Sequence, residues 1–150
     1  MLKFTIGADI SKNKINFALR FLNDYVLEKE VENTTSALNK FIKEVQSLVK
    51  SIAKEKKSEY ILEFIMEHTG IYGNLLIECL AGHKLTMYVI AGLEIKNSTG
   101  ISRGKNDKID AKRIADYGIR FADKLKPYTL CDQTLTELKG LNTLRTQMVR

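Results

Sequence analysis

Apolar and polar residues are arranged along the chain in two alternating regimes, one of strand type and one of helix type. Residues 4–10, 14–22 and 26–32 read as strands, joined by the polar turns Ser11-Lys12-Asn13 and Asn23-Asp24, and so predict an antiparallel meander. The cluster Asn33-Thr34-Thr35 supplies helix-capping side chains. After it, Leu38, Phe41, Ile42, Val45, Leu48, Val49 and Ile52 recur every three or four residues, which predicts a long amphipathic helix over the sheet. Tyr60 to Glu67 is apolar at nearly every position, the pattern of a buried parallel strand. His68-Thr69-Gly70 breaks it, a short helix through Leu75, Leu76, Ile77 and Leu80 ends near Gly82, and residues 85–90 make a fifth strand.

At about 100° per residue, Ala111, Ile114, Ala115, Gly118, Phe121, Ala122 and Leu125 gather on one face of a further helix. Asp107 and Asp110 continue that face at its start, directing two carboxylates toward the sheet, while Lys108, Lys112, Arg113 and Arg120 lie around the other side. The order β-β-β-α-β-α-β-α is that of an α/β protein of the ribonuclease H-like class, a mixed five-stranded sheet flanked by helices. Leu135, Leu138, Leu141, Leu144 and Met148 then form an apolar stripe running to the last residues, expected as the start of a helical, heptad-like connector over 129–150 after a domain of 1–128, the plainer reading being a short helix that packs on its own domain.

One domain with a full core is the expectation for 150 residues of which 44% are hydrophobic. Charge adds a partner class. Twenty-four Lys and Arg against eighteen Asp and Glu leave +6, which favours polyanions. Between Ser102 and Lys126 eight basic residues face four acidic ones, so a local +4 sits beside the paired aspartates. Cys79 and Cys131 are far apart and lack CxxC spacing, so neither a disulfide framework nor a zinc site is indicated, and a reducing cytoplasm is expected. The start leads straight into a strand and the apolar runs are short, which predicts neither a signal peptide nor a membrane partner.

Four acids stand out as candidate chemistry. Strand alternation puts Phe4, Ile6, Ala8 and Ile10 on one face and Thr5, Gly7 and Asp9 on the other, so in a central strand Asp9 is enclosed. An enclosed carboxylate requires a proton, a cation or several donors. Glu67 closes the fourth strand, and Asp107 and Asp110, three residues apart, are neighbours on a helix whose mutual repulsion a cation relieves. Each alone has a plainer reading: Asp9 as a turn cap or partner of a buried Lys, Glu67 as a solvated residue, the aspartates as caps, the basic run as a solvated face, and His68 as a turn residue. Jointly they fall where this fold converges, at strand carboxyl ends, which favours a divalent-metal site. Ser11 and Lys12, just past Asp9, lie where a phosphate could approach.

Gly7-Ala8-Asp9-Ile10-Ser11-Lys12, Glu67-His68-Thr69-Gly70-Ile71-Tyr72 and Lys105-Asn106-Asp107-Lys108-Ile109-Asp110-Ala111 resemble, in order, the three signatures of the DEDD transposases of the insertion-sequence-110 family, relatives of the Piv DNA invertases. Their first domain is similar to the Holliday-junction resolvase RuvC. His68 departs from the small residue frequent there. The resemblance implies a DNA recombinase that cuts and rejoins phosphodiesters at insertion-sequence ends, with Asp9, Glu67, Asp107 and Asp110 as catalytic tetrad and ligands of Mg²⁺, replaceable by Mn²⁺. It also implies DNA contacts by Ser11, Lys12, Arg103, Lys105, Lys108, Lys112 and Arg113, a structured guide RNA, a homo-oligomer formed through the helical region, and a prokaryotic, nucleoid-associated cytoplasmic setting. Members continue into a second domain bearing a serine, which has no counterpart here, so the 150 residues are expected to bind metal and nucleic acid without completing recombination. A RuvC-like junction-resolving nuclease and a non-catalytic nucleic-acid-binding module remain alternatives. A sugar-kinase or actin-like lobe shares Gly-x-Asp before a hairpin but needs a second lobe.

Overall fold

The computed structural model describes residues 1–99, 107–130 and 133–149, with only the backbone described at 99, 107–108 and 133–139. Along the chain lie β1 (Leu2–Ile10), β2 (Lys14–Phe21), β3 (Asp24–Glu32), α1 (Thr35–Glu55), β4 (Tyr60–Glu67), a 3₁₀ turn (Gly70–Gly73), α2 (Asn74–Gly82), β5 (Thr86–Ile90), α3 (Gly92–Thr99), α4 (Asp107–Arg120) and α5 (Gln133–Met148). All the expected strands and helices are present, and α3 is an addition. Ile95 is its one buried side chain among those described, too little for a helical period to show in sequence.

The five strands form one sheet in the order β3-β2-β1-β4-β5. β1 pairs antiparallel with β2 and parallel with β4, and β4 pairs parallel with β5. The three-residue turn after β1 permits only a hairpin, whereas α1 supplies the long crossover that a parallel pair needs. β1 and β4 are therefore central, and the sheet's two faces carry different chemistry.

Phe4, Ile6, Ala8, Phe17, Leu19, Phe64 and Met66 pack on one face against Leu38, Phe41, Ile42, Val45 and Val49 of α1 and Leu76 and Leu80 of α2, all buried. Phe17 stacks on Phe41 with ring centroids 4.2 Å apart. Thr34 caps α1, its hydroxyl accepting from the Ala37 amide at 3.4 Å. This is the principal core.

The opposite face carries Thr5, Gly7 and Asp9 of β1 with Glu63, Ile65 and Glu67 of β4, and α4 lies across it. A smaller cluster of Ile65, Ile90, Ile95 and Ile114 holds α3 and α4 there. Gly7 permits a very close approach: a Cβ on it would stand 2.5 Å from the Ala115 amide nitrogen and overlap the Ala111 carbonyl oxygen. Gly118 does the same against Ile65, where a Cβ would come within 2.7 Å of the Cδ1. The small residues read in sequence as part of an apolar helix face thus serve backbone contact between helix and strand.

Polar contacts along the outer edge give α4 its direction. Asp116 pairs with Arg20 and accepts a hydrogen bond of 2.7 Å from the Tyr25 hydroxyl, and Arg20 lies opposite Thr5 in the sheet. Lys112 Nζ meets Glu28 Oε1 at 2.7 Å, and Glu28 lies opposite Ala18, itself opposite Gly7. Residue 116 is thus level with Thr5 and residue 112 with Gly7, so α4 runs antiparallel to β1. One more helical turn of about 5.4 Å matches two strand residues of about 6.6 Å, so residues 107–110 come level with Asp9.

Burial first, then the bond to Asp116, raises the Tyr25 hydroxyl pKa above its ordinary value. A group whose pKa is raised on folding contributes stability below its unfolded pKa of about 10 and loses it as pH rises through the folded value. Tyr25→Phe is expected to cost about 1 kcal/mol at pH 7, a low figure because the pair is half-exposed, and to flatten the stability loss above pH about 10. Urea unfolding at pH 7 and pH 11 checks both, and equal curves for the two proteins would refute the role of this contact.

Candidate metal centre

Asp9 is the penultimate residue of β1 and half-buried. The β1–β4 register sets Ala8 against Met66, so Asp9 and Glu67 are the next positions of two adjacent parallel strands, at their carboxyl ends and on the same face. Neighbouring strands run about 4.8 Å apart, which makes these two carboxylates side by side. Glu67 in turn pairs with Ile90 of β5.

β4 has a second glutamate on this face, and the structure separates the two. Glu63 is 3% exposed, its Oε1 accepting from the Thr5 hydroxyl at 3.0 Å and from Lys3 Nζ at 2.9 Å. It is a structural ion pair about 13 Å down the strand from Glu67. Glu67 instead leans into space that only a glycine leaves open: a Cβ on Gly92 would come within 2.7 Å of its Cδ and overlap Oε1. Gly92 opens α3, so the positive end of that helix lies beside the carboxylate.

Asp107 is the first residue of α4, and its side chain lies outside the described residues, as does that of Lys108. Asp110 is half-buried and its Oδ1 accepts from Arg113 Nη1 at 3.2 Å. The two strand acids are brought together and the start of α4 is brought to their level. Among the described residues no three acidic, histidine or cysteine side chains stand close enough to share one ion. The donor types nevertheless suit a hard divalent cation, since all are carboxylates, and the space at Gly92 is a cradle that holds one of them in place.

The basic and polar candidates fall into three groups. Lys12 is exposed, whereas Ser11 is used within its turn, hydroxyl and amide both donating to the Lys14 carbonyl at 2.7 and 2.9 Å. Lys112 is tied to Glu28 and lies 4.9 Å over the Tyr25 ring, and Arg113 is held by Asp110, so a phosphate would have to compete for both. Arg103 and Lys105 lie outside the described residues. His68 is exposed, and its backbone amide donates to the Ile90 carbonyl at 2.8 Å, which anchors the turn after Glu67.

Sequence reading passed over two residues that shape the site. Asn33, read as part of a capping cluster, donates its side-chain amide to the carbonyls of Ser11 at 3.0 Å and Tyr72 at 2.9 Å. It stitches the turn after Asp9 to the segment after Glu67. Gly92 had no signal at all, because a glycine between a strand and a helix is ordinary and only the position of Glu67 gives it meaning.

The arrangement is that of a ribonuclease H-like domain of the RuvC type. Among solved structures, the chain is similar to Thermus thermophilus RuvC in complex with a Holliday junction substrate, with a TM-score of 0.52 and 9% identity over 84% of this chain and 99% of that one. It is also similar to Thermus thermophilus RuvC itself, with a TM-score of 0.51 and 10% identity over 83% and 99%. Likeness at this identity shows the fold. No curated protein matches the chain at a significant level. A family profile described as transposase, of the DEDD insertion-sequence-110 type, matches residues 6–150. The chain belongs to that family, and it is the RuvC-like catalytic domain of a DEDD-type transposase, a metal-dependent enzyme that cuts DNA.

Proposed function

We propose that Asp9, Glu67, Asp107 and Asp110 hold Mg²⁺, replaceable by Mn²⁺, and that the domain cuts and rejoins DNA phosphodiesters at insertion-sequence ends. The observation that carries this reading is the placement of Asp9 and Glu67 side by side at the carboxyl ends of parallel β1 and β4, with the start of α4 level with them. When bound, divalent ions stabilise the attacking and leaving oxygens of phosphodiester exchange. Asp9 and Glu67 are rigid ligands because both stand on central strands, while Asp107 and Asp110 arrive on a helix held by the Gly7 contact. Lys12 and, about the start of α4, Arg103, Lys105 and Lys108 hold the phosphate backbone, joined by Ser11, Lys112 and Arg113 where phosphate displaces their present partners, a contact that gives affinity without sequence information. Target choice then comes from a structured guide RNA in the nucleoid.

Residues 1–128 constitute the catalytic domain in this reading, and 129–150 open a helical connector through which the protein oligomerises. The amide of Tyr128 donates to the Met87 carbonyl at 2.8 Å, tying the end of that domain to β5. Beyond it, Leu141, Leu144 and Met148 of α5 are 63%, 56% and 86% exposed, as an interhelical seam requires.

Junction resolution is the second reading, favoured by the likeness to RuvC. Binding to a duplex element end and to a four-way junction, each with and without Mg²⁺, separates the two. Comparable affinity for the two is expected, since backbone contacts carry no sequence information, and a tenfold preference for the junction would replace transposition by resolution. The Gly92 cradle gives a further check. In Gly92→Ala the new methyl displaces only the flexible end of Glu67, so the thermal midpoint should hold while Mn²⁺ affinity falls about tenfold, as for other changes to groups that orient a ligand. Mn²⁺ titration followed by electron paramagnetic resonance reads this directly, and parental affinity would show that Glu67 is not placed by Gly92.

A further inference from the structure

α1 carries a second basic surface, on the layer opposite α4. Lys40, Lys43, Lys50 and Lys54, all exposed, follow one another at spacings of three, seven and four residues, which puts them in a single line along the helix. Ser36 and Ser47 fill the remaining positions of that line, and both are exposed. The line faces away from the core stripe of Leu38, Phe41, Ile42, Val45 and Val49. No acid interrupts it. Glu44 is the i+4 neighbour of Lys40 but is already bound by Lys29 at 2.6 Å, and at 100° per residue Glu55 lies about a quarter turn from Lys54. Among the described residues the four lysines enter no ion pair.

Folding alone does not call for such a line. Lys40 with Lys43 and Lys50 with Lys54 are like-charge neighbours, which destabilise a helix where a Glu in either place would stabilise it. An anionic partner would relieve that repulsion. The line is straight and spans about 21 Å at about 1.5 Å per residue, long enough to meet several phosphates along one side of B-form DNA, whose two strands together carry one charge per about 1.7 Å of axis. A rigid linear array fits the regular backbone of a duplex better than a flexible single strand.

We infer that the Lys40–Lys43–Lys50–Lys54 face of α1 binds the phosphate backbone of a duplex DNA segment distinct from the one at the carboxylates. The inference rests on the proposed recombinase reading, because cutting and rejoining needs two duplex segments held at once. α1 starts at the site end of the sheet, where Asn33 just before it bonds to Ser11 and Tyr72, and runs away from it on the other face. Two duplexes could therefore meet near that end without sharing a surface.

The test compares the parent with a Lys40→Gln, Lys43→Gln, Lys50→Gln, Lys54→Gln variant. Gln suits exposed helix positions about as well as Lys, and unchanged Mn²⁺ binding verifies an intact fold and site. Fluorescence anisotropy with a 30-base-pair duplex is measured from about 50 to 200 mM salt. Each lost phosphate contact lowers the slope of log affinity against log salt by about 0.9, so the variant should lose about 3 to 4 slope units. A slope and affinity equal to the parent's would overturn the inference and leave the recombinase reading standing. Loss of hairpin-RNA binding with duplex binding unchanged would assign the face to RNA and overturn it as well. A parent that binds Mn²⁺ but no duplex at any salt would overturn the recombinase reading together with it.

Discussion

Gly7→Ala should destabilise the domain by about 3 kcal/mol, the upper end of what overpacking costs, and at the same time weaken Mn²⁺ binding at least tenfold. The added Cβ meets the Ala111 carbonyl and the Ala115 amide, which are helix backbone and cannot turn aside. Helix α4 must then lift from β1, and its first turn carries Asp107 and Asp110 away from Asp9. Gly118→Ala is the natural comparison. Its Cβ meets Cγ1 and Cδ1 of Ile65, a side chain rather than helix backbone but a buried, β-branched one, so the cost should be about 2 kcal/mol, in the middle of the overpacking range. Urea unfolding and Mn²⁺ titration of both variants check the pair. A Gly7→Ala protein as stable as the parent would show that α4 is not docked where the structure places it.

Asp9→Asn is expected to abolish cutting while leaving DNA binding intact or stronger. The amide keeps the shape but removes the charge that a divalent ion requires, and it also removes a negative charge from the DNA-facing end of the sheet. Metal ions contribute several kcal/mol of transition-state stabilisation. At about 1.4 kcal/mol per tenfold, losing that contribution lowers the cleavage rate by roughly 10³ or more. Cleavage of an element-end duplex in Mg²⁺, measured beside binding of the same duplex and the circular dichroism of the variant, separates the effects. Cutting at the parental rate by a folded Asp9→Asn protein would remove Asp9 from the catalytic set. If neither protein cuts while both bind DNA equally, the non-catalytic binding module becomes the better description of the isolated domain.

The two experiments divide the site into its parts. Asp9 and Glu67 depend on the register of β1 and β4, which the principal core fixes through Phe4, Ile6, Phe64 and Met66. Asp107 and Asp110 depend on α4, which is held by backbone contact at Gly7 and by the polar clamp of Arg20, Tyr25, Asp116, Lys112 and Glu28. Variants of the clamp should therefore affect the helix-borne acids before the strand-borne ones.

Much of this was legible in the linear chain because it depends on local periodicity. Two-residue alternation marked β1 to β3 and put Asp9 opposite Phe4 and Ile6, and three- and four-residue spacing marked α1 and α4, since each pattern follows from the geometry of a single element. The four acids could be singled out for the same reason, as charges breaking an apolar pattern. Other features arose only when elements met. Glu63 and Glu67 share one strand and one face, and only the pairing with Lys3 and Thr5 makes the first structural and leaves the second at the site. Lys112 and Arg113 read alike as basic surface, yet one is bound to Glu28 and the other to Asp110. Gly92, Asn33 and the Asp116 clamp carry no local signal, because what each does is defined by partners 22 to 96 residues away. Sequence determined the five strands, every helix but α3, and which charges need a partner. Tertiary structure decided which partners those charges receive, because that depends on strand register and helix docking, where a single Cβ is enough to separate the two halves of the site.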